Sequence, residues 1–175
     1  GHAGIEATYV ASKLCNSVVL ITLDEGQIGA MSCNPAIGGL GKGHLVKEID
    51  ALGGLMPKIA DKTGLQFRKL NRKKGYAVQG TRCQSDKYHY KLYAQEQIRS
   101  LDNVDIISDE VVDFKINSKS QIESVLLKNL GELFSEKIIL CAGTFLRAKM
   151  FIGEKIIQGG RIGESAADSL SQFFL

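Results

Sequence analysis

The spacing of apolar and polar residues changes several times along this chain, and each change predicts an element. Val18–Thr22 is an unbroken run of β-branched and apolar residues, which predicts a buried strand. Ahead of it, residues 3–16 read as a helix whose small residues Ala3, Gly4, Ala7 and Ala11 permit close packing on a sheet. A second helix is predicted over 43–55. There Leu45, Ile49 and Leu52 share one face, Lys47, Glu48 and Asp50 face water, and Gly53-Gly54 ends it. Residues 65–83 are polar, basic and irregular. Ser85 is placed to cap a third helix over 86–101, with Tyr88, Leu92 and Ile98 among its buried positions. β-like runs follow at 104–107, 110–116, 122–127 and 133–141, parted by the turn sequences 117–120 and 129–132. The closely spaced runs predict an antiparallel meander. The continuous apolar stretch 137–143 predicts a buried parallel strand. A last helix is expected from Ala166.

A chain of 175 residues with 44% hydrophobic and 23% charged residues is an ordinary globular composition for one domain. No apolar run approaches the ~18 residues of a membrane span. No basic-then-apolar leader opens the chain, so the cytoplasm is the expected compartment. A net charge of +3 is too small to argue for nucleic acid. The four cysteines, Cys15, Cys33, Cys83 and Cys141, form no C-x-x-C pair. Neither a metal site nor a disulfide framework is therefore expected. Cys15 and Cys141 fall in apolar patterns and read as core.

The candidate chemistry sits at two glycine-rich turns. Gly1-His2-Ala3-Gly4 reads as the tail of a G-x-G-x-x-G turn, so the chain is expected to be a fragment that lacks its first strand. Its apolar end at Phe173-Phe174-Leu175 also looks cut. The stretch Ser32–Leu45 crowds Gly38, Gly39, Gly41 and Gly43 around Lys42, just ahead of a helix, where anions are welcome. Two such turns near one strand suggest a dinucleotide cofactor. A tight helix–sheet contact explains Gly1 and Gly4 equally well. The acid expected after the second strand is out of register, and Asp24 and Glu25 read as a solvated loop. Cys33, in the glycine loop near Lys42, is the candidate nucleophile, because a helix N-terminus and a cation both favour thiolate. The competing role for Cys33 is a buried small hydrophobe. Gly41-Lys42-Gly43 lacks the first glycine and the hydroxyl of a Walker A motif, which excludes nucleotide hydrolysis there. Arg68, Lys69, Arg72, Lys73 and Lys74 cluster around Asn71, either as an anion site or as a solvated face.

Residues 32–39 and 41–54, Leu70-Asn71 with Lys74-Gly75, Arg82 with Gln84, Gly143–Leu146 and Gly159-Gly160-Arg161 together resemble the signature of the GidA/MnmG family. Tyr76 departs from it, standing where the family has proline. The resemblance implies an α/β, doubly wound FAD-binding Rossmann domain of the glutathione-reductase type, with an inserted β-meander. Residues 1–175 would be a partial FAD/NAD(P)-binding domain, unable to hold FAD stably alone. It implies an enzyme using FAD, NADH and methylenetetrahydrofolate to form 5-carboxymethylaminomethyl or aminomethyl uridine at the tRNA wobble position. A partner GTPase would assist, and the full-length protein would be a homodimer with no membrane attachment. On this resemblance Gly1, His2, Ala3 and Gly4 hold FAD, Val111 contacts its adenine through the backbone, and Cys33 is catalytic. Two alternatives stay open: a folate- and FAD-dependent tRNA uridine-5-methyltransferase, and a flavin-free RNA-binding module.

Overall fold

The computed structural model describes residues 1–31, 34–144, 146–160, 170 and 173. Ser32, Cys33, Phe145, Arg161 and the helix expected from Ala166 lie outside the described residues. The elements in order are α1 (His2–Leu14), β1 (Val18–Thr22), β2 (Ala36–Gly38), α2 (Lys42–Ala51), α3 (Met56–Thr63), β3 (Gly64–Leu70), β4 (Gly80–Ser85), α4 (Lys87–Arg99), β5 (Val104–Ser108), β6 (Val111–Ile116), β7 (Ile122–Leu127), β8 (Gly131–Phe134), β9 (Lys149–Ile152) and β10 (Lys155–Gln158). They fall into two compact units: 1–20 with 26–105, and 21–25 with 106–175.

In the first unit the helices bury Ile5, Leu55, Ile59, Tyr90, Ala94 and Ile98. β2, β4 and β3 form an antiparallel sheet in that order. α1 is tied down from sequence-distant positions. Asn103 Nδ2 donates to the carbonyls of Ser12 and Cys15, both at 2.8 Å, closing the helix C-terminus. Glu6 accepts from the N–H groups of Leu55 and Met56 and so caps α3. β1 runs parallel to β5. Val18 N–H donates to Asn103 O at one end and Asp109 N–H to Thr22 O at the other, so both strands advance in the same sense.

In the second unit β6, β7 and β8 form the expected antiparallel meander. Its core is Phe114, Val125, Leu127 and Leu170, with Ile21, Ile107, Val111 and Ile138 against it. The Asn117 carboxamide oxygen accepts from Lys119 N–H and Gln121 N–H and builds the first turn. β9 and β10 make a hairpin with Phe151 and Ile156 exposed.

Several sequence expectations are corrected. Residues 65–83 are not irregular, because they hold most of β3 and β4. α3 was not expected; it follows the Gly53-Gly54 stop closely, with its proline at the tolerated first turn. Leu45 and Leu52 are exposed, and the one fully buried residue of α2 is Gly43. Helical spacing marks a face but not what covers it. Asp86, not Ser85, caps α4, because its carboxylate accepts from Tyr88 and His89 N–H while Ser85 is buried at the end of β4. Tyr88 and Leu92 are exposed and Ile98 is buried. β1 is half-buried along its length rather than buried. Cys15 is exposed and Cys141 half-buried, whereas Cys83 is in the core. Residues 137–142 form no strand, and Ile139 is 65% exposed, because no described segment pairs with their backbone.

Candidate functional site

The first glycine turn becomes the first turn of α1. Gly1 is its N-cap and His2, Ala3 and Gly4 follow, with no side-chain cap and no acid in the turn. An α-helix begins with N–H groups that have no partner within the helix, and the helix dipole makes them attractive to an anion. The other helix starts have partners. Glu6 serves α3 and Asp86 serves α4. At α2 the loop serves itself: Lys42, Gly43 and His44 N–H donate to the carbonyls of Leu40, Gly39 and Gly41 at 2.9, 2.8 and 3.1 Å.

His2 carries a second signal. Its Nε2 is buried with no hydrogen-bond partner among the described residues. Burial, then the charge of Lys42, lowers its pKa to about 4, so the ring is neutral at neutral pH. It tilts against Tyr90, with ring centroids 5.6 Å apart. Burial, and then the Glu6 carboxylate, raises the Tyr90 phenol well above its ordinary range, so it stays protonated. A buried polar atom without a partner costs about 1–3 kcal/mol. A polar ligand at this turn would recover that cost. The residues present therefore fit a phosphate-bearing group.

The second glycine loop works differently. Gly38 has φ +86°, and a Cβ there would lie 2.2 Å from Thr81 O. Gly43 and Gly80 meet the same limit, against Thr81 O at 2.9 Å and Gly39 O at 2.7 Å. These glycines let the loop press its backbone on β4, and Gly39 N–H donates to Thr81 O at 2.7 Å. The expected anion-welcoming helix start is thus filled by the loop's own carbonyls. Gly39 and Gly41 also have positive φ, but open space surrounds them.

Gly1, His2, Ala3 and Gly4 share one turn. Val111 lies in the second unit, opens β6, and is in register with Leu127. Asp109 fixes the approach to it by accepting from the N–H groups of Glu110, Asn129 and Leu130. Cys33 lies outside the described residues. Thr22 ends β1 with its hydroxyl toward Asp24 O at 3.5 Å, and Asp24 and Glu25 are exposed. Sequence reasoning missed Glu6, since its partners lie 49 and 50 residues away and no local spacing marks it. The described residues hold no group of acids, histidines and cysteines fit for a metal ion. No described helix is long and apolar enough to cross a membrane.

A sequence profile of the family described as "Glucose inhibited division protein A" matches residues 1–174. The tRNA uridine 5-carboxymethylaminomethyl modification enzyme MnmG of Zymomonas mobilis is 48% identical over 98% of this chain and 28% of its own length. The protein of that name from Aquifex aeolicus is 45% identical over 99% of this chain and 28% of its own length. The chain therefore spans less than a third of these relatives. The structure of Aquifex aeolicus GidA superposes with a TM-score of 0.92 at 43% identity, over 99% of this chain and 29% of that one. A GidA-related protein from Thermus thermophilus reaches a TM-score of 0.66 at 15% identity, which shows a shared fold alone. The fold is thus the Rossmann-type α/β arrangement that the sequence predicted.

Proposed function

The chain belongs to the GidA family, and from that premise we propose that it is part of an FAD-dependent enzyme that modifies the wobble uridine of tRNA. The product is the 5-carboxymethylaminomethyl uridine named in its relatives, or the aminomethyl uridine of the same reading. NADH, methylenetetrahydrofolate, a partner GTPase and a homodimer of the full-length protein belong to the same reading. The observation that carries it is the first turn of α1, which has no side-chain cap, beside the Nε2 of His2, which has no hydrogen-bond partner among the described residues.

The N–H groups of His2, Ala3 and Gly4 hold the FAD pyrophosphate, and Gly1 and Gly4 keep side chains away from it. Val111 meets the adenine through its backbone. Bound flavin supplies hydride and electron transfer. Neutral His2 donates or accepts one hydrogen bond at Nε2 and holds no charge there at neutral pH. Cys33 is the nucleophile. Its thiolate adds to the uracil ring beside the carbon to be modified and leaves when the ring is restored.

The test uses the full-length protein. It is expected to purify with flavin absorbance, and cells lacking it are expected to lose the modified wobble nucleoside. Cys33→Ala should keep the flavin and fail to restore the nucleoside. A colourless intact protein indifferent to added FAD would refute the flavin assignment. A Cys33→Ala variant with full modification would remove the nucleophile.

A further inference from the structure

Residues 64–85 hold six of the chain's 22 basic residues and none of its 19 acids. They form the β3–β4 hairpin and its connecting loop. Arg68, Lys69, Arg72, Lys73 and Lys74 are exposed, and Arg82 is half-buried. Among the described residues none of the six pairs with a carboxylate.

Two features separate this surface from a merely solvated one. The first is a like-charge pair. Arg68 stands directly opposite Arg82 across β3 and β4, and Gly38 of β2 stands opposite Arg82 on its other side. Like charges facing each other across strands are destabilising, and an anion between them removes the penalty. The second is a prebuilt loop. Asn71 sits at φ +54° and its Nδ2 donates to Val78 O at 3.0 Å. Gln79 Nε2 donates to Lys74 O at 2.8 Å, and Lys74 N–H donates to Asn71 O at 2.8 Å. Two carboxamides thus brace the loop from within and leave Arg72, Lys73 and Lys74 projecting outward. The ordering cost of the loop backbone that carries these consecutive cations is met before a partner arrives.

The extent of the surface indicates the size of the anion. β3 stays extended only from Arg68 to Leu70, an advance of about 7 Å, before the chain turns at Asn71 and carries the charge on through Arg72, Lys73 and Lys74. Six cations on one hairpin are more than a single phosphate engages and suit successive phosphates of a polymer. Tyr76 follows the cations and is 88% exposed. An exposed tyrosine beside a phosphate track is a stacking platform for an unpaired base.

We propose that the β3–β4 hairpin grips the phosphodiester backbone of the substrate RNA, with Tyr76 stacking on an unpaired base. This rests on the reading of the protein as a tRNA-modifying enzyme. In the full-length protein, bound tRNA is expected to shield Lys69, Lys73 and Lys74 from an amine-reactive reagent and to leave Lys119 reactive. Inorganic phosphate and a polyglutamylated folate at the same concentration should not shield them. The triple variant Arg72→Ala, Lys73→Ala, Lys74→Ala should keep its flavin and bind tRNA about 100-fold more weakly. Its log–log salt dependence should be shallower by about 2 to 3 units. Tyr76→Ala should weaken binding about tenfold with an unchanged salt slope. The proposal fails if tRNA binds and the lysines stay reactive, or if the folate shields them and tRNA does not. If tRNA does not bind the native protein at all, the functional reading fails together with it. Shielding is read on the native chain, so a triple variant that does not fold leaves that test intact.

Discussion

The two glycine-rich turns look alike in sequence and do opposite things in the fold. At Gly1–Gly4 the helix starts without a side-chain cap, and a buried imidazole nitrogen beside it has no described partner. At Gly38–Gly43 the loop carbonyls already accept from the first N–H groups of α2, and Thr81 fills the space a side chain at Gly38 or Gly43 would need. The first turn leaves polar capacity for a ligand. The second spends its capacity on internal packing. Glycine content therefore marks close backbone approach, and the neighbouring atoms decide what approaches.

Substitutions can break this contrast, and the largest effect is expected in the second loop. Gly38→Ala combines a positive φ with a Cβ 2.2 Å from Thr81 O. It should lower the stability of the full-length protein by about 3 kcal/mol, read by chemical denaturation, since backbone cannot swing aside as a side-chain tip does. Gly41→Ala, at φ +72° in open space, should cost only about 1–2 kcal/mol. Equal losses at the two positions would show that conformation, not close approach, selects these glycines.

Acidity separates the two helix starts next. Ala3→Glu places a carboxylate in the first turn of α1. It should weaken flavin binding at least tenfold, read by fluorescence titration, while raising stability of the flavin-free protein by about 0.3–1 kcal/mol through the helix dipole. Opposite signs from one substitution are not expected of a merely structural turn. His2 gives a pH signature. Its folded pKa is lowered to about 4, so the folded protein disfavours the charged ring. The unfolded chain takes up a proton near pH 6.5. Stability should therefore be intact above pH 6.5, fall as pH drops toward 4, and level off below. The loss is about 3 kcal/mol at most, and His2→Gln should flatten that part of the profile. The smallest effect belongs to His44→Glu in α2. The N–H groups there are already bonded, and stability should change by less than about 0.3 kcal/mol.

The local pattern carried much of the fold. α1, β1 and the meander β6–β8 were legible because each follows a short-range rule: small residues on one face, a β-branched run, or alternation broken by Asn and Gly turns. The basic cluster was legible as composition. Its brace was not, because Asn71 and Gln79 reach carbonyls of a loop whose path depends on β3 and β4. The strands themselves are not legible in sequence, since residues 65–69 are all exposed and no apolar–polar alternation runs the length of Gly64–Leu70. α4 was placed correctly but with its exposed Tyr88 and Leu92 on the wrong side.

Sequence alone determined the family, the order of most helices and strands, and which residue types were available for chemistry. Those properties follow from short-range sterics and from motifs read in line. Tertiary structure decided which glycine turn stays open, that Glu6 caps a helix about fifty residues away, and that Arg68 faces Arg82. Each depends on atoms brought together from distant parts of the chain, and a linear spacing holds no record of such meetings.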